Sequence, residues 1–98
     1  MVHKVFDKEK RKYIAVFPLK YLGKQFMSSE KIKNKPYRLD SRVQEKPDCK
    51  AIFGEKAYTV VNVLESKLGI FVNLKDAKVF ESQEKSRKLE EISLEGIN

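Results

Sequence analysis

Tryptophan is absent from this chain, and cysteine and histidine occur once each, as Cys49 and His3. A single cysteine cannot close an internal disulfide, so the pattern does not point to an oxidising compartment. One cysteine and one histidine cannot supply the four ligands of a structural zinc site. A nucleophilic cysteine would need a neighbouring base, and the one histidine stands beside the N-terminus. The four glycines, Gly23, Gly54, Gly69 and Gly96, lie too far apart for a phosphate-cradling loop. No cofactor or metal is therefore expected. No apolar run approaches the roughly 18 residues of a membrane span. Residues 1–7, Met-Val-His-Lys-Val-Phe-Asp, contain no apolar stretch of the kind a secretory leader needs. The expectation is a cytoplasmic protein with no membrane partner.

Acidic residues are scarce in one place. Residues 1–50 hold 14 basic and 6 acidic side chains, a net of +8, whereas residues 51–98 hold 7 and 8, a net of −1. The formal charge of +7 over 98 residues averages these two halves. A chain of this length forms one small domain and buries roughly 60–65% of its unfolded surface, which leaves little room for a deep substrate pocket. Ten aromatics, all Phe or Tyr, with many Val, Ile and Leu still supply a core.

Short β-rich runs separated by turn residues dominate the pattern. Lys4-Val5-Phe6 and Tyr13–Phe17 flank a charged turn and read as a hairpin ending at Pro18. Residues 19–35 show weak periodicity and read as a short strand or irregular stretch followed by a basic loop; Ser28 or Ser29 could cap a helical turn. Tyr37–Val43 alternates cleanly, with Tyr37, Leu39 and Val43 on one face and Arg38, Asp40 and Arg42 on the other. Residues 50–53, 57–64, 69–74 and 76–80 read as further strands, with a tight turn at 65–69. Residues 82–98 have mixed charge and good helix formers. They read as a short C-terminal helix or tail beyond a β domain spanning 1–81. No internal repeat is visible. Five to seven short strands and at most one helix predict a mainly β fold, with α+β as the other option. The expected form is a small antiparallel barrel or sandwich of OB-like or SH3-like type, since closure removes edge strands.

The stretch Val60-Val61-Asn62-Val63-Leu64, followed by Leu68-Gly69-Ile70-Phe71-Val72-Asn73-Leu74, resembles the early strands of an S1-type RNA-binding OB domain. Gly69, Phe71 and Val72 carry the resemblance, which covers residues 60–74. It implies that Phe71 stacks on bases. The chain departs from the family downstream, where Asp76–Ser82 lacks its glycine, histidine and Ser-Glu elements.

The strongest functional feature is basic and aromatic together. Lys20, Lys24, Lys31, Lys33, Lys35 and Arg38 are interleaved with Tyr21, Phe26 and Tyr37, and Arg42 extends the series. Lys and Arg neutralise phosphates with release of counterions. Tyr and Phe stack on single-stranded bases, at about 1–3 kcal/mol per base. Lys8-Glu9-Lys10-Arg11-Lys12 forms a second cluster that could clamp a backbone from a hairpin tip. Arg38-Asp40-Arg42 is either a readout face or an internally compensated strand face. Paired carboxylates suited to acid–base chemistry do not assemble: Glu90-Glu91 lies in the tail, and the aspartates fall at turns or on exposed faces. The expected protein is therefore not an enzyme. It is a small nucleic-acid-binding domain, for RNA or single-stranded DNA. Its site residues are Lys10, Arg11, Lys12, Lys20, Tyr21, Lys24, Lys31, Lys33, Lys35, Tyr37, Arg38 and Arg42. The alternative is a protein-interaction module or small regulator or inhibitor, of the sort encoded by phages and mobile elements, docking on an acidic protein or nucleoprotein surface. A homodimer is compatible with both.

Overall fold

The computed structural model of the chain describes residues 2–42 and 56–93. Its elements are β1 (Val2–Asp7), β2 (Lys12–Phe17), α1 (Lys20–Met27), β3 (Tyr37–Arg42), β4 (Lys56–Val61), β5 (Lys67–Phe71), α2 (Leu74–Ser82) and β6 (Lys88–Ser93). All pairings are antiparallel and build one six-stranded sheet in the order β3-β1-β2-β5-β4-β6. Among the described residues the sheet is not closed: β3 and β6 form its two edges and do not pair with each other. The mainly β, antiparallel expectation holds, and barrel closure is not seen. The strand expected at 50–53 lies outside the described residues.

Three segments differ from their sequence reading. Residues 20–27 form a helix, because Leu22, Gly23 and Phe26 fall on one helical face and pack inward. Residues 74–82 form the second helix rather than a strand. Asn73 caps it, its side chain accepting from the Asp76 amide at 2.8 Å. The segment read as a C-terminal helix or tail contributes β6, which pairs with β4 along its length.

The order of elements reveals what the residue pattern hid. β1-β2-α1-β3 and β4-β5-α2-β6 are the same unit twice, and the β2–β5 pairing, Ala15 to Phe71 and Val16 to Ile70, joins them about an approximate two-fold axis. Both hairpins carry a bulge just before the turn, at Val5/Phe6 and at Val60/Val61. Both turn on a short polar side chain. Asp7 Oδ1 accepts from the amides of Glu9 and Lys10 at 2.9 and 3.2 Å, and Asn62 Oδ1 from those of Leu64 and Ser66 at 2.9 and 3.0 Å. Both turns pass through the left-handed region, at Arg11 (φ 57°) and Glu65 (φ 60°). Beyond the turns the halves align at a separation of 54 residues. Phe17, Lys24, Phe26, Ser28, Glu30 and Lys31 then match Phe71, Lys78, Phe80, Ser82, Glu84 and Lys85.

Four of these matched residues make the core. Phe17, Phe26, Phe71 and Phe80 are fully buried between the helices and one face of the sheet. Their geometry repeats with the fold. Phe17–Phe26 and Phe71–Phe80 are tilted pairs at 5.7 and 5.5 Å, with interplanar angles of 39° and 44°. The cross pairs Phe17–Phe80 and Phe26–Phe71 are edge-to-face, both at 5.3 Å and at 66° and 61°. Such edge-on arrangements add about 0.5–1.5 kcal/mol per pair beyond area burial. Phe71 is therefore a core residue, and the base-stacking role implied by the S1-type resemblance does not apply.

Gly69 makes the ring cluster fit. A Cβ there would lie 2.9 Å from Phe17 Cε1 and 3.1 Å from Phe71 Cε2, and Phe17 is held by three other rings. Gly69→Ala should cost about 1–3 kcal/mol by overpacking. Phe71→Ala should cost about 3–5 kcal/mol through the cavity it leaves. Urea denaturation of the two variants measures both.

Candidate nucleic-acid interface

Strand directions determine which basic residues share an end of the sheet. β3 starts where the β1–β2 turn lies, with Tyr37 opposite Asp7. The Lys8 amide donates to Pro36 O at 2.8 Å, which ties that turn to the segment leading into β3. Lys8, Lys10, Arg11 and Lys12 are thereby brought to the same end as Lys31, Lys33 and Lys35, although about twenty residues separate the groups in sequence. Lys8, Lys10, Arg11, Lys12, Lys31 and Lys33 are all exposed. The exposed acids among them are Glu9 and Glu30, and Glu30 holds Lys33 at 2.8 Å.

Lys35 and Tyr37 do something else. Asp76, almost fully buried at the start of α2, accepts from Tyr37 Oη at 3.1 Å and Asn73 Nδ2 at 3.0 Å, and Lys35 Nζ lies 3.6 Å away. Burial, and then the neighbouring Asp76 carboxylate, push the Tyr37 phenol well above its ordinary value. Tyr37 is thus a tether between β3 and α2, with its ring packed against the core and not presented for stacking. Phe26 is likewise core.

The remaining expected site residues lie elsewhere. Lys20, Tyr21 and Lys24 occupy the outer surface of α1, whose N-terminus is at the end of the sheet away from the β1–β2 turn. Arg38 is on the sheet face opposite the helices, since Leu39 and Tyr37 pack on the helix side. It forms a bidentate pair with Asp40 at 2.9 and 3.1 Å, and its guanidinium lies 4.8 Å above the Phe6 ring. That pairing holds Arg38 charged above its ordinary value. Arg42 ends β3, in register with Val2.

Three residues that the sequence did not single out join Arg38 there. Phe6 and Tyr13 meet edge-to-face at 5.1 Å, Lys4 Nζ sits 4.7 Å above Tyr13, and Tyr13 Oη donates to Asp40 at 3.3 Å. The alternation of Lys4 and Phe6 around the buried Val5 was the available signal. Among the described residues no group of three His, Cys, Asp or Glu side chains is arranged to hold a metal ion. No helix among them is long and apolar enough to cross a membrane. Comparison with protein-family models, curated proteins and solved structures finds no match to this chain. The class is therefore set by the fold and the surface alone: an antiparallel sheet of two ββαβ halves with a cationic end.

Two outcomes follow. Tyr37→Phe removes a hydrogen bond to a buried carboxylate and should lower stability by about 1.5–3 kcal/mol. It should leave any nucleic-acid affinity unchanged, as checked by denaturation and titration of the same sample. His3 is buried, its Nδ1 is 2.6 Å from Ser41 Oγ, and burial, helped by Lys20 and the N-terminus, lowers its pKa below 6.5. The unfolded chain then binds a proton that the folded chain resists. The stabilisation is complete above about pH 6.5 and is lost as the pH falls through that value toward the lowered one. The denaturation midpoint of the wild type should fall between pH 7 and 5 more than that of His3→Gln.

Proposed function

We propose that the chain binds nucleic acid through its sugar-phosphate backbone, using the end built from the β1–β2 turn and the 28–36 segment. The observation that carries this is the Lys8–Pro36 main-chain bond, which merges two separate basic stretches into one surface. Among the described residues of these two segments, six exposed cations face two exposed acids, one of which is already paired. Their task is phosphate neutralisation, which supplies sequence-independent affinity. Base stacking has a smaller place than composition suggests, because Phe26 and Tyr37 are committed to the fold. The Arg38 guanidinium, bonded to Asp40 and 4.8 Å from the centroid of the Phe6 ring, is a surface on which a base could stack.

Titration of labelled RNA, single-stranded DNA and duplex DNA over a salt series tests this. Binding should weaken linearly on a log–log plot, with a slope of about −0.9 per phosphate neutralised on a duplex. K10E/R11E/K12E should lower low-salt affinity at least about a hundredfold and flatten the slope. Absence of binding at low salt, or an unchanged slope in the triple variant, rejects the proposal.

A further inference from the structure

The approximate two-fold axis supplies an internal control. The β1–β2 and β4–β5 turns share a polar side chain that caps the loop and a left-handed residue, yet the first carries Lys8-Glu9-Lys10-Arg11 and the second Val63-Leu64-Glu65. The backbone of such a turn therefore has no need of apolar side chains. Val63 and Leu64 nevertheless stand 75% and 81% exposed. β2 and β5 are antiparallel, so this turn lies at the end of the sheet where α1 begins. Leu19 and Tyr21 are there, 48% and 65% exposed. Among the described residues, four of the five exposed large apolar side chains thus gather at one end. Solvated loops do not require such a cluster, and clusters of this kind mark contact surfaces.

The surface beside this patch is concave. Tyr21 and Asn62 share the walls of a cleft of about 420 Å3, with Leu68 as a further apolar wall. Arg87 lines it too. The guanidinium is fixed 4.0 Å over the Phe80 ring and donates to Phe80 O at 2.8 Å and to Gln25 Oε1. Two of its five N–H groups serve those bonds, and Arg87 is partly exposed in a cleft that Glu84, accepting from Gln25 Nε2 at 3.1 Å, also lines. Exposed Lys20, Lys24, Lys67, Lys85 and Lys88 belong to the elements around it, against exposed Glu65 and Glu84.

We propose that this end is a docking site for a segment of another protein that presents an apolar anchor side chain flanked by Asp or Glu. The anchor packs against Val63, Leu64 and Tyr21 and enters the cleft beside Leu68, and a carboxylate meets Arg87. Charge selects this occupant. A second copy placed by two-fold symmetry would set one lysine rim against another on chains of +7 each. A lipid surface is flat and would leave the cleft empty.

The test is selection of a displayed random-peptide library on the full chain, with V63S/L64S as the counter-selection target. Both replaced side chains are exposed, so the variant folds; equal denaturation midpoints verify this. The expected result is enriched peptides that combine Leu, Ile, Phe or Met with Asp or Glu and bind the wild type at least about tenfold more tightly than V63S/L64S. Nucleic-acid affinity should be the same for both chains, which separates this site from the basic end. Enriched peptides without that composition, or equal binding to the variant, overturn the proposal. So does a wild-type dimer in sedimentation that V63S/L64S lacks. Binding of the wild type, but not the variant, to anionic phospholipid vesicles also overturns it, by assigning the patch to a membrane.

Discussion

Packing of four phenylalanine rings about the β2–β5 seam is the constraint on which the rest of the molecule depends. Each half contributes one ring from a central strand and one from its helix. Neither half alone surrounds its rings, because each tilted pair completes its edge-to-face contacts with rings of the other half. The seam itself is short, with two residue pairs in register. The halves are therefore held together chiefly by aromatic packing above the sheet, with the main-chain ladder in a supporting role. Gly69 shows how tight this is: the equivalent position in the first half is Ala15, so the two-fold is broken by one methyl group where the rings crowd closest.

That core fixes backbone and leaves the ends free. Both turns and both bulges are in equivalent settings, so their exposed side chains differ without altering the scaffold. One end carries lysines and an arginine on its turn, and the other carries apolar residues on its turn, beside a cleft with a lysine rim. The segments after the helices differ in the same sense. In the first half Ile32 turns into the core and the chain continues to Tyr37. In the second half β6 begins sooner, and Arg87 packs on Phe80 from the side of the cleft. Ring burial and end chemistry are separable, which is why two functional proposals coexist on one small fold.

The strands were legible because alternation survives wherever one face is buried. Tyr37–Arg42 and the two hairpins follow the expected pattern to within a few residues. The helices were not, since each is under three turns long and shows few inward positions. Gly23 sits inside α1 because the Leu39 side chain approaches to 2.9 Å of where its Cβ would be, and in sequence the same glycine looks like a break. At α2, Asn73 followed three residues later by Asp76 was a capping signal, outweighed by the β-branched run before it. The repeat had a signature also: Phe, then Lys, Phe, Ser, Glu and Lys at the same spacing from Phe17 and from Phe71. Most identities fall on surface positions between unlike strands, so periodicity alone did not display it.

Burial decides what the basic–aromatic segment means. In one dimension Tyr21, Phe26 and Tyr37 look alike, each flanked by lysines. In the fold they have three different tasks: Tyr21 is on the surface at the apolar end, Phe26 is in the ring cluster, and Tyr37 bonds to a buried aspartate. Lysines separate in the same way. Lys35 faces Asp76, whereas Lys31 and Lys33 are exposed beside the β1–β2 turn. At the basic end Lys35 Nζ lies 5.6 Å from the centroid of the Tyr37 ring, and the rings of the adjoining strands, Phe6 and Tyr13, each carry a cation as well. The proposed contact with a charged backbone rather than with bases rests on this arrangement, in which ring faces are occupied and the cations are exposed.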